Sequence, residues 1–279
     1  MRVGIVGLGL MGGSIAAALK PNHTILAYDI DPQAASLALA KGIVDRACAA
    51  PAELLGSCDV VYLCLYPRAL LEFVDQNAAT IRPGTVCADI AGVKSAIVEG
   101  VLARMPQGVQ FVFSHPVAGR EKTGVAYADP AIFRGANYIV VPTPANTVAA
   151  LETIRSLARE MGFGNVTDLT VEEHDAIIAY TSQLTHAIAL AIVDSDDGVF
   201  DTGRFIGDSY RDLTRIAMIN APLWSELFLE NKDNLIARID AFRASLDELE
   251  RLLRSGDIHG LKLKMAEANR RRTLLEKGK

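Results

Sequence analysis

Up to about residue 168, short apolar runs alternate with longer segments whose apolar positions recur every three or four residues. The runs are RVGIV, TILAY, VVYLCL, TVCADI, VQFVF and NYIVV. Each is continuously apolar, which predicts strands buried on both faces; segments between them, such as DPQAASLALAKG and VKSAIVEGVLARM, predict helices. Strand–helix alternation of this kind predicts an α/β fold around a doubly wound parallel sheet. TPANTVAALETIRSLAREMG adds a helix with a Thr-Pro start and Gly162 at its end.

After Val166 the rhythm changes. VEEHDAIIAYTSQLTHAIALAIVD, SYRDLTRIAMI, LWSELFLENKDNLIARIDAFRASLDELERLLRSG and a charged tail all read as helix. The expected organisation is a dinucleotide-binding domain over residues 1–168 and an all-helical domain over residues 169–279. HDAIIAYTSQLTHAIALAIVD is apolar around most of its circumference, so it needs cover on several sides. A homodimer through the helical domain is therefore expected.

Composition narrows the function classes. A chain of 279 residues, half of them hydrophobic, can bury two cores and has no disordered tract. A net charge of −5 gives no basic footprint, so no nucleic-acid partner is expected. Cys48, Cys58, Cys64 and Cys87 have no CxxC spacing and read as free thiols in a reducing compartment, hence a cytoplasmic protein. The apolar N-terminus resembles a signal peptide only until its glycines are read as a motif. No other stretch reads as a membrane span, and no membrane partner is expected.

That motif is Gly7-Leu8-Gly9-Leu10-Met11-Gly12, between the first strand and the first helix. Glycines there allow a tight turn and close backbone approach, and the helix start offers free N–H groups to a pyrophosphate. The second strand ends at Asp29, where an acid accepts ribose hydroxyls and repels a 2′-phosphate; NAD is the expected cofactor, in a Rossmann-type domain. Asp31 is near enough to share the role.

Ligands of such sheets bind beyond the carboxyl ends of the strands. TVCADI runs out at Asp89 to Lys94 and VQFVF at Ser114-His115-Pro116, so both deliver polar groups to one rim. A histidine beside a nicotinamide can take a proton as hydride leaves, because it titrates near neutrality. In the helical half, Arg211 and Arg215 stand four apart on one face, and an arginine grips a carboxylate with two parallel bonds. DSDDGVFD fails as a calcium loop, because its glycine comes early and Phe205 stands where the closing glutamate belongs. His174 and His186, twelve apart, do not share a helix face and make no metal pair.

GLGLMGGS, DIAGVK, SHPVAGREKTG, AIFRGANYIVVPT, HDAIIAYTSQLTHAIA and YRDLTRIAMINAPLWSELFLEN, in that order, resemble the prephenate/arogenate dehydrogenase family of tyrosine biosynthesis. The resemblance covers roughly residues 1–235. It implies NAD-dependent oxidative decarboxylation of prephenate, or of its amino counterpart arogenate, by a dimer. It makes His115 the catalytic histidine at the ring hydroxyl and Arg215 the grip on a substrate carboxylate. Glu121 helps organise the pocket, Lys94 is the lysine of the DIAGVK turn, and His186 lies near the substrate side chain. Three departures stand out: Gly92 replaces a serine whose hydroxyl helps His115, Gln183 replaces a first histidine, and Thr185 replaces a proline. Gln183 and Thr185 can donate to a keto oxygen, which favours prephenate over arogenate. A β-hydroxyacid dehydrogenase, which shares the glycine motif, relies on a helix lysine missing from HDAIIAYTSQLTHAIALAIVD. The remaining alternative is a non-catalytic dinucleotide sensor.

Overall fold

A computed structural model describes residues 1–120 and 122–277. Eight strands form one sheet: β1 (Arg2–Val6), β2 (Thr24–Tyr28), β3 (Arg46–Ala47), β4 (Val60–Leu63), β5 (Val86–Asp89), β6 (Gln110–Val117), β7 (Asn137–Val141) and β8 (Asn165–Asp168). Their spatial order is β3-β2-β1-β4-β5-β6-β7-β8, and the first six follow the doubly wound dinucleotide-binding order. All neighbours are parallel except β6 and β7, which run antiparallel.

The helices of the same half are α1 (Leu10–Leu19), α2 (Pro32–Ala40), α3 (Pro51–Leu55), α4 (Pro67–Asn77), α5 (Val98–Leu102) and α6 (Val148–Glu160). Two apolar clusters cover the two faces of the sheet, one around Ile5, Ile15, Tyr62 and Ile154, the other around Leu54, Val61, Leu70 and Phe113. Val3, Ile5, Val60, Val61 and Tyr62 are all at most 1% exposed, which is why these strands read as unbroken apolar runs.

β6 outruns the VQFVF segment. Its pairing with β5 stops at Ala88 opposite Val112, but antiparallel β7 carries it on, with His115 opposite Ile139 and Pro116 opposite Tyr138. A proline is tolerated there because β6 has by then passed the end of β5 and needs no N–H toward it.

Beyond β8 lie α7 (Val171–Ile178), α8 (Leu184–Asp194), α9 (Asp208–Thr214), α10 (Ala221–Glu230), α11 (Lys232–Ser255) and α12 (Ile258–Lys277). α7 and α8 are one helical run broken by a π-helical turn at Ala179–Gln183. The run Val171–Asp194 is, by length and composition, apolar enough to cross a membrane, which the sequence reading denied to any stretch. Its buried His174 and Asp175 nevertheless spend their polar groups on bonds to His115, Lys94 and Ser95 of the α/β body, and its buried Gln183 bonds to Leu227 and Asn231, the role of a packed helix. Asn231, at φ −116° and ψ 25°, separates α10 from α11 where the sequence pattern ran through as one helix.

By compactness the chain divides into units at Met1–Lys232 and Asp233–Lys279. Within the first unit, α7 is tied to the strand ends by the bonds of Asp175 to Lys94 and Ser95 and of His174 to His115, and Asn231 after α10 bonds to the Asp175 carbonyl and to Gln183. In the second unit, α11 and α12 pair through a Lys264–Glu248 ion pair. Leu246, Leu253, Leu263 and Leu275 of that unit are left exposed.

Candidate active site

The glycine loop is built as its chemistry requires. Gly7 has φ +90°, and a Cβ there would sit 2.5 Å from the Cys64 carbonyl oxygen. A Cβ on Gly12 would be 1.9 Å from the Gly7 carbonyl oxygen, so α1 can pack against the loop only with glycine at that position. A Cβ on Gly9, by contrast, would meet nothing within 4 Å. Gly9 is the N-cap of α1, supplies no side-chain cap, and no acid lies in the first turn. The amides of Leu10, Met11 and Gly12 therefore open onto an uncovered cradle that suits a pyrophosphate. At the end of β2, Asp29 braces the loop: its carboxylate accepts the Leu8 N–H at 2.5 Å and the Asp31 N–H at 2.8 Å. Asp31 itself caps α2 by accepting from the Gln33 N–H at 2.9 Å, so its carboxylate serves the helix start.

Further along the same rim, three side chains stand in line. His115 Nδ1 lies 2.9 Å from His174 Nε2, and His174 Nδ1 lies 2.7 Å from Asp175 Oδ1. Asp175 also accepts the backbone N–H groups of Lys94 at 2.8 Å and Ser95 at 2.9 Å. Burial, then His174 and Lys94, hold the His115 imidazole well below its ordinary value, so it is neutral at pH 7. His174 is lowered as well, by burial against the opposing pull of Asp175. Burial raises Asp175, but the hydrogen bonds from His174, Ser95 and Lys94 prevail and it is held below the usual carboxylate range. His115 Nε2 makes no hydrogen bond among the described residues.

Sequence reasoning did not find this pair. The consecutive His-Asp was visible in HDAIIAYTSQ, but only the approach of α7 to β6 gives it meaning. A capping box fixes that approach locally: Thr170 Oγ accepts the Glu173 N–H at 3.2 Å, and Glu173 returns the bond to the Thr170 N–H at 2.9 Å.

Beneath His115 lies a buried ion pair. Lys94 and Asp89 are both fully buried and joined, and the Lys94 ammonium also donates to the carbonyls of Ala91 at 2.8 Å and Ser114 at 2.6 Å. Asp89 Oδ1 accepts the Ser114 N–H at 2.9 Å, and the Ser114 hydroxyl bridges to the Asp89 carbonyl and to Tyr138. The Lys94 of the DIAGVK turn is thus a rivet joining the ends of β5 and β6.

The predicted residues of the helical half fall into two groups. His186 stacks on Trp224 with ring centroids 3.6 Å apart and bonds through Nδ1 to the Ser182 carbonyl. Arg215 follows the last turn of α9 and is exposed. Gln183 departs from expectation. It is 1% exposed, donates to the Leu227 carbonyl at 2.9 Å and accepts from Asn231 at 2.8 Å. Both ends of its amide hold α8 to α10, leaving nothing to offer a substrate. The π-turn puts it there: in a regular helix Gln183 would face about 180° from His174, and one extra residue turns it back by about 100°. Thr185 donates to the Ser182 carbonyl at 2.6 Å, so its hydroxyl proton is used there and is not offered to a keto oxygen. Glu121 lies outside the described residues.

Residues 15–166 match the prephenate dehydrogenase nucleotide-binding domain, and residues 170–267 match the prephenate dehydrogenase dimerization domain. The chain belongs to the prephenate dehydrogenase family. Prephenate dehydrogenase of Bacillus subtilis (strain 168) is 29% identical over 265 residues, covering 92% of this chain and 71% of that protein. Cyclohexadienyl dehydrogenase of Zymomonas mobilis is 28% identical, covering 92% of this chain and 89% of that protein. The solved prephenate dehydrogenase from A. aeolicus, in complex with hydroxyphenyl propionate and NAD+, superposes with a TM-score of 0.86 at 29% identity, covering 98% of each chain.

Gly92 has room for a side chain. A Cβ there would lie 3.5 Å from two Leu227 methyls and 3.9 Å from His115 Cε1, all ordinary contacts. Gly92→Ser is therefore expected to fold normally and to place a hydroxyl beside His115. One added hydrogen bond should raise turnover about 2- to 10-fold. Steady-state kinetics check this, and unchanged or lower turnover in a normally folded variant would show that the hydroxyl has no work to do here.

Proposed function

We propose that this chain catalyses the NAD-dependent oxidative decarboxylation of prephenate to 4-hydroxyphenylpyruvate, in tyrosine biosynthesis. The observation that carries this reading is His115, neutral and at the rim of the sheet, with Nδ1 engaged and Nε2 unclaimed by any described residue. When bound, NAD supplies the hydride acceptor. The first-turn amides of α1 hold its pyrophosphate, and Asp29 holds its ribose and repels a 2′-phosphate. The NAD+ in the A. aeolicus enzyme's complex supports that choice.

His115 takes the hydroxyl proton of the ring carbon as that carbon gives up hydride. Loss of carbon dioxide then leaves two electrons in the ring, which becomes aromatic. The product is a phenol, so the proton returns from His115 to the same oxygen and none is released overall. Arg215 grips a substrate carboxylate. His186, held flat against Trp224, forms a wall near the side chain, and Glu121 helps organise the pocket. With the Gln183 amide turned to Leu227 and Asn231 and the Thr185 hydroxyl proton given to Ser182, neither supplies the donor that a keto oxygen would favour. The prephenate dehydrogenases among the relatives support prephenate.

The protein works as a homodimer in the cytoplasm. Val199, Phe200, Phe205, Leu213 and Met218, between 61% and 77% exposed, offer apolar surface of the kind a second copy would cover. Burial pushes the Cys58 thiol up to about 11 and Cys87 up to about 12, which makes them inert free thiols suited to a reducing compartment.

The test is NADH or NADPH formation with prephenate and with arogenate, each against NAD and NADP. Prephenate with NAD should be the efficient pair. An efficiency tenfold higher with arogenate would overturn the substrate, equal efficiency with NADP would overturn the role of Asp29, and no reduction with either acid would overturn the reading itself.

A further inference from the structure

The groups around Asp175 fix the protonation of every nitrogen between it and the pocket. The backbone N–H groups of Lys94 and Ser95 can only donate, so both oxygens of Asp175 act as acceptors. Its remaining neighbour, His174 Nδ1, must then carry a proton and donate it. With Nδ1 protonated, the neutral His174 ring has Nε2 as an acceptor, and its partner there is His115 Nδ1. His115 Nδ1 must therefore be the donor, and His115 Nε2 is left bare.

We propose that His174 and Asp175 are positioning residues for His115, fixing the tautomer in which Nδ1 carries the proton and Nε2 is the base. This builds on the reading of His115 as the group that meets the ring hydroxyl. During turnover the substrate O–H bond breaks, an N–H bond forms at Nε2, and the proton later returns to the phenol oxygen. His115 Nδ1 keeps its own proton throughout.

The relay orients and does not export. It ends at Asp175, which is 2% exposed and saturated by three donors, so a proton sent down it has no way out. That matches a reaction that releases no net proton. The ionisable groups packed around it are Lys94, Asp89 and Tyr138 from the strand ends and their turn, and His174 and Asp175 from α7; those facing His115 directly are His174 and Lys94. With Gly92 in place of serine, this internal bond is what remains to hold the His115 ring in one orientation.

Two measurements test the proposal. In the unmodified protein, 15N NMR of the His115 ring at neutral pH should find Nδ1 protonated and Nε2 bare; a proton on Nε2 would overturn it. That readout needs no turnover, so it stands apart from whether prephenate is the substrate. His174→Gln and Asp175→Asn should each lower kcat roughly 10²-fold by freeing the ring, with KM for the coenzyme unchanged. Combined with His115→Asn, His174→Gln should cost nothing further, because the residue it serves is already gone. An additive loss in the double variant, or near-normal kcat in a folded single variant, would contradict the positioning role.

Discussion

Replacing His115 with asparagine is expected to lower turnover about 10²- to 10⁴-fold while leaving the fold intact. Asparagine keeps a hydrogen-bonding side chain at the rim of β6 but has no atom that can accept a proton. The strand around position 115 is held by its antiparallel register with β7 and by the Ser114 hydroxyl and amide bonds to Asp89, none of which uses the imidazole. The loss should therefore fall on kcat, with coenzyme binding unaffected, since the cradle on α1 is formed by other residues. Circular dichroism and steady-state kinetics on the same preparation separate these effects. A variant with normal kcat would remove His115 from the chemistry.

Lys94→Ala is expected to produce the largest loss of stability. Lys94 and Asp89 are both fully buried, and deleting one partner strands the other charge in the interior. Breaking a buried pair in this way costs roughly 3–5 kcal/mol, a drop in Tm of roughly 6–20 °C for a unit of this size. The same substitution also removes donors from the Ala91 and Ser114 carbonyls. A thermal melt reads the result directly. A shift of only a degree or two would mean that the pair is dispensable.

The α/β half was legible because each buried strand sits between two apolar layers and leaves an uninterrupted run in the sequence. The glycine motif was legible because Gly7 and Gly12 answer to steric demands only glycine meets. The length of β6 was not, since Ser114, His115 and Pro116 become strand only through pairing with β7. The helical half was harder to read in detail. Periodicity marks Val171–Asp194 as helix but gives no sign of the π-turn at Ala179–Gln183, which turns Gln183 inward to Leu227 and Asn231. Gln183 consequently looked like a substrate donor and is an internal brace. His174 was set aside as making no metal pair with His186, because nothing in a linear pattern says that α7 brings it to His115. The division at Asp233 was likewise hidden, since apolar periodicity marks a helix face without naming what covers it.

The central claim is that a part-buried, neutral His115 is the base that meets the ring hydroxyl, and its most direct test is the pH dependence of kcat/KM for prephenate with NAD. Burial disfavours the imidazolium, so the folded value lies below the ordinary histidine value of about 6.5, and the active neutral form persists as the medium becomes more acid than that. The predicted profile keeps its plateau through pH 6.5 and falls only at lower pH, and the fall disappears from the residual activity of His115→Asn. A profile that already falls above pH 6.5, or an acid limb that survives unchanged in His115→Asn, would contradict it.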